Sequence, residues 1–300
     1  MNKSKAKPFL KWAGGKTQLL EIITSNFPYK NEDEFIYVEP FVGSGAVLFW
    51  VLNNYQNIKK AIINDINLDL INAYKIIKKN VEDLIFILEK WQNEYYSLEH
   101  DQENKKKYFY EKRDLFNQRK SNQIKHTALF IFLNKTCFNG LYRVNKNNLF
   151  NVPIGSYRKP VICDKNNLRL VSNSLKKVEI IHGDFEKTLR YAENKSLFYL
   201  DPPYKPLNKT SNFNSYADQK FNDTEQIRLK KFCDKLDQLG CKWILSNSDV
   251  REANSENIFF DDLYKKYQIH RVLARRNINS NGLKRGLLNE LLITNNRKQS

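Results

Sequence analysis

Asp201-Pro202-Pro203-Tyr204 follows directly on the apolar run Ser196-Leu197-Phe198-Tyr199-Leu200, and each residue type suits the same chemistry, that of holding an exocyclic amino group while its nitrogen is methylated. A carboxylate can accept one amino N–H and a proline carbonyl the other, which turns the nitrogen lone pair toward an incoming methyl. The two prolines fix φ and remove backbone donors, so the turn is stiff and its carbonyls can only accept. Tyr204 adds an aromatic face on which a base drawn out of a duplex could stack. The same tetrapeptide also suits an ordinary turn after a strand, because Asp-Pro is a common turn initiator. These four residues alone leave both readings open.

Such a turn needs a sheet edge to carry it, and in open α/β folds ligands sit at the carboxyl ends of the strands. Short apolar runs ending in Gly, Asp or Asn predict strands near 35–41, 60–64, 178–182, 196–200, 242–246, 267–273 and 287–294. Helical patterns between them imply a mostly parallel sheet with crossover helices. The last two strands flank the turn-rich Asn277-Ile278-Asn279-Ser280-Asn281-Gly282 and read as an antiparallel pair at the sheet edge. Between about 67 and 160 the strand pattern stops. Leu70, Ile71, Tyr74 and Ile77, then Val81, Leu84, Ile85 and Leu88, fall at helical spacing and are assigned to packing. The expected organisation is a catalytic domain of residues 1–66 and 160–300, with 67–159 an inserted helical subdomain carrying a hairpin near 137–155.

Upstream, Ile36 to Gly45 reads as a strand entering a glycine turn (Glu39-Pro40-Phe41-Val42-Gly43-Ser44-Gly45) and then a helix from Ala46. Glycines there allow close backbone approach to a ligand, and the helix N-terminus favours negative groups. Asp65 lies 20 residues past Gly45 at the end of the next apolar run, the offset at which a carboxylate binds ribose hydroxyls in a βαβ nucleotide site. A third strand ending His182-Gly183-Asp184-Phe185 offers an adenine contact. Asp65 and Asp184 equally suit helix N-caps or turns. Lys11-Trp12-Ala13-Gly14-Gly15-Lys16-Thr17 contains Gly-Lys-Thr, but a P-loop needs a glycine five residues before Gly15, and that residue is Leu10. A glycine-rich helix start flanked by lysines could still touch a carboxylate or phosphate.

Fifty Lys and Arg against 33 Asp and Glu give a net charge of +17, which suits a polyanion because each neutralised phosphate releases counterions. The excess is uneven: Lys265 to Ser300 holds nine basic residues and one acidic, and the first sixteen residues hold five lysines and no acid. A solvated lysine-rich surface is the bland alternative. Cys137, Cys163, Cys233 and Cys241 show neither zinc-ligand spacing nor a disulfide framework, so no metal is expected and a reducing compartment fits. No apolar run approaches the roughly 20 residues that span a bilayer, and the N-terminus lacks a signal-peptide core. A cytoplasmic protein, with no membrane partner, is expected.

In order and in residues, these motifs resemble those of the Dam-type DNA adenine-N6 methyltransferases, the GATC-specific α group of the D12 class. Lys11 to Lys16 comes first, Phe41 to Gly45 second, an insertion third and Asp201 to Tyr204 last, and similarity extends over Asn134 to Tyr157, Leu245-Ser246-Asn247 and Arg275 through Leu292. The resemblance implies a Rossmann-like class I methyltransferase sheet, mostly parallel with an antiparallel edge strand, and makes the insertion the target-recognition subdomain. It implies S-adenosylmethionine contacts by Trp12, Lys16, Glu39, Pro40, Phe41, Gly43, Gly45, Asp65, Asp184 and Phe185. Asp201, Pro202, Pro203 and Tyr204 would be the catalytic clamp on the target adenine. Lys11, Phe138, Asn139, Leu141 and Arg143 would contact double-stranded DNA, with Arg143 suited to guanine O6 and N7. Phe138 stands where some members carry tyrosine, which leaves stacking or wedging as its contribution. Read from its residues alone, the same stretch is a hairpin bearing polar and basic side chains, and most hairpins merely pack.

The implied reaction is direct transfer to N6 of a flipped adenine, with Asp201 stabilising the positive charge that develops. Cytosine-N4 methylation is the nearest rival, since that amino group offers the same two donors. A catalytically silent DNA-binding regulator and an RNA substrate are the others. The resemblance further implies a bacterial or phage protein on nucleoid DNA, monomeric, with a restriction endonuclease of the same site as a candidate partner.

Overall fold

The computed structural model describes residues 4–12, 16, 19–205, 221–275 and 287–296. Ala13, Gly14, Gly15 and Thr17 of the glycine-rich stretch, and the Asn277-to-Gly282 turn, lie outside the described residues. The chain divides into two compact units: Met1–Gly15, Gly43–Asn53 and Asn67–His182 form the first, and Lys16–Val42, Asn54–Ile66 and Gly183–Ser300 the second.

The second unit is built on a mostly parallel sheet. Strands β1 (Phe35–Glu39), β2 (Ile58–Asp65), β4 (Ser196–Leu200), β5 (Lys242–Ser248), β6 (Gln268–Arg275) and β7 (Leu287–Thr294) lie in the order β2-β1-β4-β5-β7-β6. β1 pairs in parallel with β2 and with β4, and β4 with β5; β7 runs antiparallel between β5 and β6. Every residue of β1 and β4 is buried, as expected of strands covered on both faces, which read as unbroken apolar runs rather than alternating ones. The chain moves outward from β1 to β2 and later returns to β1's other side as β4, which makes the gap between β1 and β4 a topological switch point. Register pairs Val38 with Phe198, so the glycine turn after β1 and the tetrapeptide after β4 leave the sheet at the same edge. All seven predicted strands are present, and the antiparallel β6–β7 pair is as expected.

The first unit carries most of the helices: α2 (Ala46–Asn54), α3 (Leu68–Lys79), α4 (Val81–Ser97), α5 (Gln102–Gln118), α6 (Gln123–Thr136) and α7 (Lys165–Leu175), with β3 (Val178–His182). In the second unit, α1 (Leu20–Ser25) precedes β1, α8 (Asp223–Gln238) precedes β5 and α9 (Phe259–Leu263) precedes β6. Five helices begin at an Asn or Asp whose side chain accepts an amide N–H three residues on: Asn67, Asp101, Asn122, Asp164 and Asn222. Each such cap is worth about 1 kcal/mol. The predicted apolar stripe on α3 and α4 is core, with Leu70, Ile71, Tyr74, Ile77, Leu84, Ile85 and Leu88 buried. From Thr127 to Asn134 every residue of α6 is buried, marking it as the central helix of its unit. Among the described residues, no helix is long and apolar enough to cross a membrane.

Candidate active site

In the second unit the tetrapeptide is fastened from three sides. Gln226 on α8 donates from Nε2 to the Pro203 carbonyl at 3.2 Å, and Asn247 on β5 donates from Nδ2 to Gln226 Oε1 at 3.1 Å. Asn247 Oδ1 accepts the Lys205 amide at 3.3 Å, and Ser248 Oγ donates to the Lys205 carbonyl at 2.7 Å. The turn is thereby fixed before any substrate arrives. Lys16 and Glu290 complete the cluster. Lys16 Nζ lies 3.2 Å from Asp201 Oδ1, 3.8 Å from Glu290 Oε2 and 4.3 Å above the Tyr204 ring. Tyr204 donates its hydroxyl to Glu290 Oε2 at 2.7 Å.

Charge in this cluster is poorly solvated, and the ionisations show it. Burial raises the Asp201 carboxyl from 3.8 to about 6; Lys16 pulls it back down and Glu290 pushes it up. Burial likewise raises the Tyr204 hydroxyl well above its usual range, with Asp201 and Glu290 adding to the effect. A carboxylate raised this far is a better proton and N–H acceptor than an ordinary aspartate, and the 21% exposure of its side chain leaves an approach for a ligand. Behind it, Tyr37 donates to buried Glu39 at 2.7 Å, and Tyr199 shares a hydrogen bond with Ser246 Oγ at 2.9 Å.

The other second-unit residues assigned to the cofactor line the same sheet edge. Asn64 Nδ2 donates to the carbonyls of Pro40 (3.0 Å) and Gly183 (2.8 Å), and the Gly183 amide donates to the Asp65 carbonyl at 3.1 Å. One amide side chain thus ties the ends of three segments together. Phe41 and Phe185 lie 5.4 Å apart between centroids. Asp184 accepts the Glu186 amide at 2.9 Å and forms a two-pronged pair with Arg228 at 2.9 and 2.7 Å. Arg228 is the main reason the Asp184 carboxyl is held below its ordinary value. Its carboxylate therefore serves as an N-cap, and the Arg228 guanidinium lies 4.2 Å over the Phe185 ring.

Trp12, Gly43 and Gly45 belong to the first unit. Gly43 has φ +49°, and a Cβ there would come within 3.1 Å of Trp12 Cδ1; Gly45 has φ +74°, and a Cβ there would meet the Tyr74 hydroxyl at 2.6 Å. Tyr74 also donates to the Gly43 carbonyl at 3.0 Å, so a side chain read as packing also holds the glycine turn. Each unit by itself offers groups that suit S-adenosylmethionine: the first a glycine turn that only side-chain-free backbone can make, at a helix N-terminus beside the Trp12 ring, and the second the carboxylates of Glu39 and Asp65 and the Phe185 ring.

The predicted duplex-reading residues, also in the first unit, are brought together. Asn134 Oδ1 accepts the Lys11 amide at 2.9 Å, and its Nδ2 donates to the carbonyls of Lys11 (2.7 Å) and Gly140 (2.8 Å). Gly140 has φ +64°, and a Cβ there would meet Lys11 Cβ at 2.5 Å. From Phe138 the chain runs through a short 3-10 turn and is then held by two isolated antiparallel bridges, Cys137 to Ile154 and Val144 to Phe150, reversing direction at Asn145–Leu149. Phe138 is 46% exposed, Asn139 sits at φ 53°, and Leu141 follows half-buried. Exposed Arg143 donates from Nε to Asn151 Oδ1 at 2.8 Å. At the root of this loop Tyr142 stacks on Trp12 at 5.7 Å and donates to Asp69 Oδ2 at 2.7 Å.

Glu290, Gln226, Arg228 and Asp69 were not singled out from sequence. Glu290 had a signal, as the lone acid between Lys265 and Ser300, set in an apolar strand. The other three look like ordinary helix-surface residues.

Comparison with known proteins agrees with this geometry. The chain is 52% identical over 295 residues to the type II methyltransferase M.MjaIII of Methanocaldococcus jannaschii, covering 96% of this chain and 99% of that one. It is 36% identical over 293 residues to the DNA adenine methylase of Haemophilus influenzae, with 97% and 94% covered. Against the DNA adenine methylase of Escherichia coli the identity is 32% over 288 residues, with 96% and 95% covered. Residues 12–278, which hold the glycine turn, the loop after α6 and the tetrapeptide, match the family as one stretch, and the chain belongs to the D12 class N6 adenine-specific DNA methyltransferases.

Proposed function

We propose that the protein flips adenine out of double-stranded DNA at GATC and methylates its N6, with Asp201, the Pro202 carbonyl and Tyr204 as the clamp. The observation that carries this reading is the fixed tetrapeptide turn at the switch point, whose partly exposed carboxylate is set beside Lys16. S-adenosylmethionine, the methyl donor, supplies when bound an electrophilic methyl on a cationic sulfur. Trp12, Lys16, Glu39, Pro40, Phe41, Gly43, Gly45, Asp65, Asp184 and Phe185 hold it. Asp201 and the Pro202 carbonyl each accept one N–H of the adenine amino group, and Tyr204 stacks on the ring. As N6 becomes positive, the Asp201 carboxylate stabilises it in surroundings where charge is weakly screened. Only the ionised carboxylate does this. The rate at saturating substrate should therefore fall as pH drops through about 6, roughly tenfold per pH unit beyond it; rates on a duplex oligonucleotide from pH 5 to 8.5 measure this, and a limb near 4 would contradict it.

Residues 67–159 act as the target-recognition insertion in a catalytic domain of 1–66 and 160–300. Lys11, Asn139, Leu141 and Arg143 read the duplex, and Phe138 fills the gap left by the flipped base. Arg143, oriented by Asn151, takes a guanine. The Arg143→Ala variant should lose about 1–3 kcal/mol of discrimination at one base pair. Sequencing DNA from cells expressing either form, with detection of modified adenine and its flanks, should give GATC for the parent and a relaxed position for the variant. A different parent motif would overturn the GATC assignment. The type II name of the M. jannaschii relative supports pairing with an endonuclease of the same site, and we place the enzyme as a monomer on cytoplasmic, nucleoid DNA.

A further inference from the structure

Glu290 is an acid in a strand that is otherwise apolar but for Asn289 and Thr294. Register places it opposite Ser248 of β5 and Val272 of β6, and its side chain, 17% exposed, takes the Tyr204 hydroxyl and lies 3.8 Å from Lys16. A second carboxylate beside the first looks at odds with a site meant to hold an ionised Asp201, because like charges oppose each other's ionisation. Lysine resolves the conflict. If Lys16 had Asp201 alone as its acid, the pair would close tightly, and the ammonium would occupy oxygens that a substrate N–H needs while lowering their basicity.

We propose that Glu290 is a positioning residue for methyl transfer: it anchors the Tyr204 ring through the hydroxyl and shares Lys16 with Asp201, so that the lysine stays on Asp201 Oδ1 alone, at 3.2 Å, and the other oxygen is kept for the adenine amino group. This rests on the reading of Asp201 and Tyr204 as the clamp. Other ionisable groups around Asp201 are Tyr37 and Glu39 on β1, Tyr199 on β4 and Tyr204 beyond it, and neither variant below alters them except where Tyr204 is named.

Two variants separate the two roles. Glu290→Gln keeps an acceptor for the Tyr204 hydroxyl but removes the charge. Lys16 should then close on Asp201, so kcat at pH 8 falls about tenfold and the acid limb moves to lower pH by about half a unit or more. Tyr204→Phe keeps the charges and frees the ring; kcat should fall while the acid limb rises or stays, since Glu290 loses a hydrogen bond but not its charge. The parent, measured alongside, should show its limb near 6. An unmoved limb in Glu290→Gln, with the parent limb near 6, would overturn the role of Glu290 and leave the clamp standing. A parent limb near 4 would instead overturn the clamp's chemistry. Circular dichroism melts of both variants show whether either change reflects unfolding; a Glu290→Gln protein folded at the assay temperature with its limb displaced supports the proposal.

Discussion

Asp201→Asn should lower methyl transfer roughly 10³-fold or more while binding of duplex DNA stays within a few-fold. Asparagine keeps the shape and one carbonyl oxygen, but it replaces an anion with a neutral group where N6 becomes positive, and its NH₂ faces the amino group it should accept from. Binding is spared because the proposed phosphate and base contacts fall to Lys11 and the Phe138-to-Arg143 loop. Stability should move the other way. The folded-state carboxyl is raised to about 6 from 3.8, so its contribution to stability is complete below the ordinary carboxylate range and is lost as pH rises through 6. At pH 8 the ionised group is a net cost to the fold, and Glu290 remains to balance Lys16. A variant that is inactive yet melts no lower than the parent is the expected result, the pattern of a site that trades stability for chemistry. Retained turnover would refute the role of Asp201.

Asp69→Ala should cost about 3–5 kcal/mol. Asp69 accepts from Arg119 at 2.5 Å, His126 at 3.1 Å and Tyr142 at 2.7 Å. Burial alone would raise its carboxyl, but those three donors outweigh burial and leave it below its ordinary value. Alanine would take the shared acceptor from all three, leaving Arg119 only the His126 ring and the Asn148 carbonyl. Arg119 and His126 are also stacked on Phe116, at 4.5 Å each, so the loss would loosen the end of α5 and the start of α6. A fall in melting temperature of roughly 6 °C or more is expected at pH 7.5. Because Tyr142 joins Asp69 to the Trp12 stack, the same variant should bind S-adenosylmethionine and GATC duplex more weakly. A melting shift under about 2 °C would show that the cluster is decorative.

What could be read from sequence followed from local order. The seven strands were legible because buried parallel strands are apolar along their whole length, and the glycine turn because only glycine tolerates the φ and the close contacts at Gly43 and Gly45. The tetrapeptide was legible as a candidate because its four residues are adjacent in sequence, whereas Lys16 and Glu290, which after burial set the ionisation of Asp201, come from far along the chain. Glu290 was half-legible as a lone acid in a basic tail, although its meaning depends on β7 crossing between β5 and β6. Asp69 was not legible at all. An acid in the first turn of a helix is ordinary, and its three donors arrive from 50 to 73 residues away. Asn134, which reaches Lys11 across 123 residues and ties it to Gly140, was hidden in the same way: side-chain bridges between distant segments leave no period in the sequence. The spacing that offered Asp184 to a nucleotide also allowed a cap, and it did not show that the carboxylate pairs with Arg228, 44 residues on.

The most direct measurement is the fate of a labelled methyl group. The purified protein, S-adenosylmethionine with an isotopically labelled methyl and a duplex containing GATC are incubated at pH 8, and the DNA is digested to nucleosides for mass spectrometry. The label should appear in N6-methyldeoxyadenosine from the parent and be absent from the Asp201→Asn reaction. Label in N4-methyldeoxycytidine, or equal labelling by the two proteins, would contradict the assignment of that tetrapeptide as an adenine amino-group clamp.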